Sequence, residues 1–598
     1  MSLPAAIAVL GGPRTERRRR FLALTAAFVL VLTALAASAD PASAAKKEDP
    51  PGQLVQVQLL AFNDYHGHLL NGTVPGQVDG LDAGGSEYLS TKLNELRAGN
   101  KYSLTVAAGD LIGGSPAFSG LFHDEPSVES LNAMGLDVSG VGNHEFDEGV
   151  TELLRMQNGG CHPVDGCYFP AEPFAGADFQ WLAANVVDED GQTPLPPYWI
   201  KKFESVKVGF IGMTLEATDT LVAAAGIQGW DFLDEAETAN ALVPILKAQG
   251  VDAIVVLLHE GGSQTPPPGA IDACVGISGP IVAINDALDP AIDVLITGHT
   301  HLPYNCLLPD AAGKPRIVTS AYSYGRVVSE FDLVLDKRTN DVRRDMSTAT
   351  NHAVIQVDLE PDPAMTAIIA KWQPLYDLAG NTPVGTITET IFRGGTPPGS
   401  DRGVESAAGN LVADAQLWWT SINASQIAFM NPGGVRSDLT YLQSQDPPEG
   451  DGVVTFGEAF TFQPFGNTLI TYEMTGAEII SVLEEQCQPA GSSRAFLHLG
   501  VSDGFTYDLG KTFDGVTGDC TSVTVSNVQL NGVPLNPAVT YNVTVNTFLA
   551  DGGDNFGTFA TITSPRLDGG NDLQALINYL GTFSPVAPPS IDRVNELP

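Results

Sequence analysis

Aspartate, histidine and asparagine residues recur directly after apolar runs in the first half of this sequence. Each run is typical of a buried strand, as in Leu104-Thr105-Val106-Ala107-Ala108. The polar groups that follow such runs are Asn63-Asp64-Tyr65-His66, Gly109-Asp110, Gly142-Asn143-His144-Glu145, His259 and Gly298-His299-Thr300-His301. Strand ends along one edge of an α/β sheet form a ligand crevice, so we expect these side chains to converge.

The residue types indicate which chemistry a shared site would support. Mixed imidazole, carboxylate and amide ligands suit divalent transition metals such as zinc or manganese better than calcium or magnesium, which prefer oxygen alone. The groups outnumber the ligands of one metal, and metal pairs about 3.5–4 Å apart hydrolyse phosphate esters. A single aspartate or histidine at a strand end is more often a turn former, so the prediction depends on the whole set.

The order Asp-x-His, Gly-Asp, Gly-Asn-His-Glu, His and Gly-His-x-His resembles the pattern of the calcineurin-like metallophosphoesterases in full. The resemblance implies two divalent metal ions, zinc, manganese or similar. One would be bound by Asp64, His66 and His301 and the other by Asn143, His259 and His299, with Asp110 bridging them.

The same resemblance assigns the catalytic pair. His144 would face the phosphate, stabilise the transition state and protonate the leaving oxygen, and Asp147 would orient it. The alternative for Asp147 is a carboxylate in the first turn of a helix. The remaining histidines are interpreted as structural: His68, His123, His162, His352 and His498.

The second half of the chain resembles the substrate-binding domain of secreted 5'-nucleotidases. The segments that carry this resemblance are 402–405, 409–411, 431–436, 463–467 and 548–554. It implies that Arg402 and Arg436 bind phosphate, Phe465 and Phe548 sandwich a base, Asn431 contacts the base edge and Asp554 accepts ribose hydroxyl hydrogen bonds.

Two details of this half keep alternatives open. Each phenylalanine by itself is more often a core residue than a base platform. Pro432 stands where the family usually has glycine, and its fixed φ affects the loop that presents Asn431 and Arg436.

Apolar strands and amphipathic helices alternate over residues 53–360, which is an α/β pattern. With the resemblance, this predicts an N-terminal metallophosphoesterase domain with an α/β/β/α sandwich over 53–360. A linker helix over 361–382 would lead to a C-terminal α+β substrate-binding domain over 383–590. The metals and the base clamp then lie in different domains, so the site must form at their interface, and we expect rotation about the linker.

The N-terminal sequence has the pattern of an export signal. Residues 17–20 are all arginine and residues 21–39 are uncharged and largely apolar, which predicts a signal peptide over 1–44, a flexible tether over 45–52 and a secreted protein. The alternative is a membrane anchor, because the apolar run is just long enough to span a bilayer. After cleavage we expect no stable membrane insertion.

Six cysteines fit an oxidising compartment. Sequence proximity predicts the disulfides Cys161–Cys167, Cys274–Cys306 and Cys487–Cys520, with zinc ligation as the rival interpretation. The formal charge of −40 would repel the backbone of a nucleic acid polymer, so such a partner is disfavoured. A small phosphate substrate would have to be attracted by local cations, such as bound metals and arginines.

These features together predict a hydrolase that converts nucleoside 5'-monophosphates to nucleoside and phosphate. The same residues could instead cleave 2',3'-cyclic nucleotides or nucleoside diphosphate sugars such as UDP-sugars. A non-catalytic binding protein is disfavoured because such proteins usually lose metal ligands, and this chain has kept the full set. The sequence sets no oligomeric state.

Overall fold

The computed structural model describes residues 53–71, 76–265, 270–442 and 450–597. The predicted signal peptide and tether lie outside these residues. Among the helices that are described, none has both the length and the apolar character needed to cross a membrane.

Two β-sheets form the centre of the first half. In the described chain the first sheet has seven strands, and four neighbouring strands from Leu54–Phe62 to Gln180–Leu182 are parallel and lie in chain order. In spatial order the strands are Asp341–Val342, Val327–Asp336, Leu54–Phe62, Ser103–Ala108, Val138–Gly140 and Gln180–Leu182, with Thr348–Ala353 paired to Val327–Asp336.

The second sheet has six strands among the described residues, with four of them parallel at its centre. In spatial order these are Tyr304–Pro309, Pro315–Ser320, Val294–Thr297, Ala253–His259, Val206–Thr214 and Tyr198–Phe203. Ala253–His259 is buried along its whole length because both faces of this sheet are covered. This burial accounts for its nearly continuous apolar sequence.

The two sheets pack face to face and helices cover their outer faces. Successive side chains of a strand point to opposite faces, so Leu59 and Ala61 enter the core between the sheets, while Leu60 and Phe62 contact the helical layer. The helices of this half are Ser86–Arg97, Ala117–Gly120, Glu125–Met134, Gly149–Asn158, Glu235–Ala248 and Pro280–Ala287. The predicted α/β/β/α sandwich is confirmed.

The strand ends that carry the predicted ligands do not share one sheet edge, and that expectation was wrong. Leu54–Phe62, Ser103–Ala108 and Val138–Gly140 belong to the first sheet, whereas Ala253–His259 and Val294–Thr297 belong to the second. The ligands meet because both sets of parallel strands end on the same side of the sandwich, where the sheets are in contact.

The helix Pro363–Ala379 follows the first half. Asp362 caps it by accepting the Ala364 N–H at 2.8 Å, and Pro363 occupies the first turn, so the helix begins later than the predicted 361. Its buried face carries Trp372 and Tyr376, which pack with Phe118 and Phe122. The helix is therefore fixed to the first half of the chain by apolar contacts.

The second half is α+β, as predicted. Its main sheet has the order Gly500–Val501, Ile427–Met430, Thr540–Asn546, Thr468–Thr475 and Leu567–Asn571. A smaller sheet contains Val533–Pro534, Cys520–Leu530, Phe505–Phe513 and Val594–Glu596, and Pro383–Thr386 pairs with Val453–Thr455. The helices are Ala407–Trp419, Phe456–Phe462, Gly476–Glu484, Thr547–Ala550, Gly557–Ala560 and Asp572–Phe583.

All six cysteines form disulfides. The pairs are Cys161–Cys167, Cys274–Cys306 and Cys487–Cys520. The predicted connectivity is confirmed, and zinc ligation by these thiols is excluded.

The contact between the sheets makes a prediction about Gly140. A Cβ at this position would lie 2.6 Å from the carbonyl oxygen of Leu257 in the opposite sheet. Gly140→Ala is expected to lower the free energy of unfolding by about 1–3 kcal/mol, because neither backbone can move without separating the sheets. Gly557→Ala is the control, since a Cβ there meets no atom within 4 Å. Equal denaturant midpoints for both variants would contradict the close packing.

Candidate active site

Asp110 lies at the centre of the converging groups. Its Oδ2 is 2.9 Å from His259 Nε2 and 3.5 Å from His66 Nε2, and its Oδ1 accepts the His144 N–H at 2.9 Å. The carboxylate is almost completely buried. It therefore stands between two sets of imidazoles, as a bridging ligand must.

The first set contains Asp64, His66 and His301. His301 Nε2 lies 3.0 Å from Asp64 Oδ1 and 3.3 Å from His66 Nε2. The Nδ1–H of His66 donates to the carbonyl oxygen of Gly113 at 2.7 Å. Since a carbonyl only accepts, the Nε2 of His66 carries the lone pair that a metal requires.

The second set contains His259, His299 and Asn143. His299 Nδ1 lies 3.1 Å from Asn143 Oδ1. The Nδ1–H of His259 donates to the carbonyl oxygen of Ala108 at 2.8 Å, so its Nε2 also presents a lone pair.

A buried nitrogen without a hydrogen-bond partner indicates that these residues can bind a divalent cation. His259 Nε2 is buried and makes no hydrogen bond, although the Asp110 oxygen is only 2.9 Å away. Candidate ligand atoms lie within 4.8 Å of one another in Asp64, His66, Asp110 and His301, and again in Asp110, His259 and His299. The donor set of imidazole nitrogens and carboxylate oxygens suits zinc or manganese.

Backbone strain marks the same positions. Five predicted ligands have left-handed φ values, namely Asp64 at 50°, His66 at 47°, Asp110 at 52°, His299 at 69° and His301 at 56°. Such conformations cost about 1–3 kcal/mol each in non-glycine residues and cluster at functional sites. The surrounding sandwich holds the ligands in place against this preference.

Burial and charge set the protonation of the site. Burial raises the pKa of Asp64 to about 6 and lowers the pKa values of His66 and His299 well below the usual range. Burial alone would lower the pKa of His259, but the charge of Asp110 raises it to about 10. His66 and His299 are therefore neutral, which is the form that binds metal. His259 holds a proton against Asp110 when no cation is bound, and a metal ion would displace that proton from Nε2.

His144 and Asp147 lie together beside this centre. His144 Nδ1 is 2.8 Å from Asp147 Oδ2, which also accepts the Gly114 N–H at 3.0 Å. Phe465 stacks on the His144 ring with the centroids 5.9 Å apart. Asp147 therefore contacts the histidine directly, as the prediction for an orienting residue requires.

Glu145 is a functional residue that the sequence reasoning missed. Its buried carboxylate accepts the N–H groups of Asp110, Leu111 and Gly142 at 2.9, 2.7 and 2.5 Å. These bonds fix the loops that carry Asp110 and Asn143. Its place in the Gly-Asn-His-Glu motif was the available signal, but the motif does not show where the side chain points.

A cavity of about 680 Å³ connects this centre to the second half of the chain. All six predicted substrate residues line it: Arg402, Asn431, Arg436, Phe465, Phe548 and Asp554. Asn431 donates to Asp554 Oδ2 at 3.0 Å, so its amide holds the carboxylate as well as facing the cavity. Phe548 packs against Gly553, where a Cβ would lie 2.5 Å from the ring.

Arg494 also lines the cavity and was missed, because nothing in the local sequence 490–494 distinguishes it from a surface arginine. Desolvation and the neighbouring Arg436 lower its pKa. Desolvation, then Arg494 and Arg436, lower the pKa of Arg402 well below its usual range. Within the described chain no ion pair links these three arginines to a carboxylate, so their charge is available to an anion.

Comparison with known proteins also divides the chain into two halves, each of which matches a different family model. Residues 57–303 match the model of the calcineurin-like phosphoesterases, and residues 383–561 match the model of the 5'-nucleotidase C-terminal domain. The cell wall protein Lmo0130 of Listeria monocytogenes is 33% identical over 88% of this chain and 67% of its own length. The chain belongs to the 5'-nucleotidase family.

Other members of this 5'-nucleotidase family differ in length and name. The endonuclease YhcR of Bacillus subtilis is 31% identical over 93% of this chain, which spans only 42% of that protein. The NAD 5'-nucleotidase of Haemophilus influenzae is 26% identical over 91% of both chains. A 5'-nucleotidase precursor structure from Thermus thermophilus shares the fold, with a TM-score of 0.71, 24% identity and coverage of 91% of this chain and 99% of its own. The chain is thus a hydrolase of the metallophosphoesterase type.

The contacts of Glu145 lead to a testable prediction. Glu145→Ala leaves buried N–H groups unsatisfied, each at a cost of about 1–3 kcal/mol, and releases the loops that hold Asp110 and Asn143. We expect a lower free energy of unfolding and a loss of bound metal, measured by denaturation and by elemental analysis. Glu189→Ala is the control, because Glu189 is exposed in a turn. Full metal content in Glu145→Ala would show that its hydrogen bonds are not needed to assemble the site.

Proposed function

We propose that this 5'-nucleotidase-family hydrolase cleaves nucleoside 5'-monophosphates to nucleoside and phosphate, with two divalent metal ions, outside the cytoplasm. The observation that carries the proposal is the shared cavity. It joins the ligand set around Asp110 to unpaired arginines and to Phe465 and Phe548 in the other half of the chain. A phosphate next to the ligands would place its nucleoside between the aromatic rings.

At the phosphate end of the site, the metal ions, the arginines and the His144–Asp147 pair have different roles. When bound, the metal ions supply Lewis-acid stabilisation of the charge on the phosphate oxygens. Arg402 and Arg436 orient the phosphate through charge-assisted hydrogen bonds and screen the surrounding acidic chain. Water attacks phosphorus as the bond to the ribose oxygen breaks, and His144 donates a proton to that leaving oxygen. Asp147 holds the imidazole in the orientation for this transfer.

The nucleoside end provides stacking and two polar contacts. Phe465 and Phe548 present ring faces to the base. Stacking of a base on an aromatic ring contributes about 1–3 kcal/mol to binding. Asp554 accepts from the ribose hydroxyls, and its bond to Asn431 fixes the carboxylate at the position where the ribose would lie. These contacts tolerate different bases, so the proposal leaves the base preference broad.

Cleavage of a nucleoside diphosphate sugar is the second candidate. Arg494 adds a third cation to the cavity beyond the two that one phosphate needs, and it lies near Arg436. The Haemophilus relative is named for a dinucleotide substrate, which also contains a pyrophosphate. The net charge of −40 disfavours a nucleic acid polymer, although one relative is an endonuclease.

Export is supported by chemistry within the described chain. Three disulfides are typical of proteins that fold in an oxidising compartment. A relative is described as a cell wall protein. The arginine-rich apolar leader at residues 1–44 would provide the route.

The first test is phosphate release from AMP by residues 45–598 with added manganese or zinc. We expect turnover by the wild type and a loss of about 10³-fold in kcat for Asp110→Asn, because the bridging charge is removed. No release from AMP, with turnover of UDP-glucose or a 2',3'-cyclic nucleotide, would retain the site but contradict the substrate.

The catalytic pair gives a separate prediction. His144→Ala is expected to lower kcat by about 10²–10⁴-fold at nearly unchanged metal content, since the residue acts as a general acid and not as a ligand. Asp147→Asn should lower kcat by less, because the histidine remains. The deficit should shrink for p-nitrophenyl phosphate, whose leaving group needs no proton. An equal deficit with both substrates would contradict the general-acid role.

The nucleoside contacts predict an effect on KM. Phe548→Ala is expected to raise KM for AMP by about 10-fold, because base stacking is worth about 1–3 kcal/mol, and to leave p-nitrophenyl phosphate hydrolysis unchanged. Phe583→Ala is the control, since this ring is 46% exposed and lies outside the cavity lining. An unchanged KM for AMP in Phe548→Ala would remove this ring from the base platform.

A further inference from the structure

Four metal-ligating side chains lie together outside the site described above. His123, Glu148, Glu152 and His162, here called the lateral cluster, present candidate ligand atoms within 4.8 Å of one another. They come from three segments, because His123 follows the helix Ala117–Gly120, the glutamates lie at the start of Gly149–Asn158, and His162 lies within the loop closed by Cys161–Cys167. The first three side chains also line the cavity.

The contacts within the lateral cluster place both ring nitrogens of His123 against carboxylate oxygens, with Nε2 lying 2.8 Å from Asp165 Oδ2. His123 Nδ1 lies 2.7 Å from Glu148 Oε2, and the two imidazoles stack with their centroids 3.7 Å apart. The Asp165 N–H donates to His162 Nδ1 at 3.1 Å. An accepting Nδ1 leaves the Nε2 of His162 as the atom that carries either a proton or a metal.

The charges in the lateral cluster favour a cation. Arg155 offsets part of the charge of Glu152 through a contact of 2.6 Å, but it also pairs with Glu125 at 2.7 Å. The carboxylates around His123 therefore outnumber the nearby cations. Burial alone would lower the pKa of His123, but Glu148 and Asp165 raise it to about 9. Positive charge is thus held here either as a proton on one imidazole or as a metal shared by both.

We propose that the lateral cluster is a third metal site, specific for a divalent transition metal of the zinc class, formed by His123 and His162 with Glu148 and Glu152. Two imidazoles and two carboxylates give the four ligands of a closed tetrahedral site. Such a site has no open position, so its role is structural. None of its ligands belongs to the set around Asp110.

The lateral cluster is placed to position the active-site loops. Asp124 follows His123 and accepts the Gly113 N–H at 2.8 Å, while the carbonyl of Gly113 accepts from His66. Glu148 follows Asp147, which contacts His144. A metal bound by both His123 and Glu148 would link the segment that supports His66 to the segment that supports His144.

The experiment counts zinc by elemental analysis of residues 45–598 after gel filtration. We expect His162→Gln and His123→Gln each to hold about one equivalent per chain less than the wild type, because a structural site loses its ion with one ligand. His352→Gln is the matched control and should retain the wild-type count, because this ring pairs with Glu330 at 2.9 Å and lies outside the candidate ligand groups found in the described residues. Equal counts in wild type, His123→Gln and His162→Gln would overturn the proposal and leave a proton between the carboxylates.

A second arm separates this proposal from the proposed function. In an Asp110→Asn/His259→Asn background, the lateral cluster should still hold about one equivalent of zinc and raise the thermal midpoint when zinc is added. Adding His162→Gln should remove both effects. A midpoint in that background that does not respond to zinc would overturn the lateral site, whatever the activity of the wild type on AMP.

Discussion

The close approach of two β-sheets is the constraint on which the rest of this structure depends. Gly140 of the first sheet and Gly212 of the second meet so closely that a Cβ on Gly212 would lie 2.8 Å from the Gly140 Cα. Because the sheets touch where their parallel strands end, five strand ends deliver ligands to one small volume. Larger residues would separate the sheets, and the groups around Asp110 would no longer lie close enough together to share a cation. The positions of the candidate metal ligands therefore depend on the packing between the two sheets.

The same constraint explains why the site needs both halves of the chain. The sandwich concentrates carboxylates and imidazoles, so its edge attracts cations but has little to recognise a nucleoside. The second half adds arginines and aromatic rings across the cavity, and Ala117 donates to Thr461 Oγ1 at 2.9 Å where the halves meet. His299 lies 3.2 Å from Ser493 Oγ, so the arginine-bearing loop reaches the ligand set itself. In the proposed function, metal binding and substrate recognition are therefore separate contributions from the two halves, and they meet in this shared cavity.

The sequence predicts the parts of this site that depend on local order along the chain. Apolar runs followed by Asp64, Asp110 or His259 identify strand ends, and the motif order identifies the family and the sandwich. What depends on the packing of distant segments could not be predicted. Nothing local shows that the strand ends belong to two sheets, that Glu145 turns inward to backbone N–H groups, or that Arg494 enters the cavity. His123 and His162 have no supporting context in the sequence, because the stacking of their rings joins two segments that meet only in the folded chain.

The most direct test of this account is anomalous diffraction from crystals grown with zinc, recorded on both sides of the zinc edge. A dinuclear centre would give two peaks about 3.5–4 Å apart that share Asp110, one among Asp64, His66 and His301 and the other among Asn143, His259 and His299. A single peak in this volume, or two peaks with Asp110 in contact with neither, would contradict the dinuclear centre and the hydrolysis proposed for it.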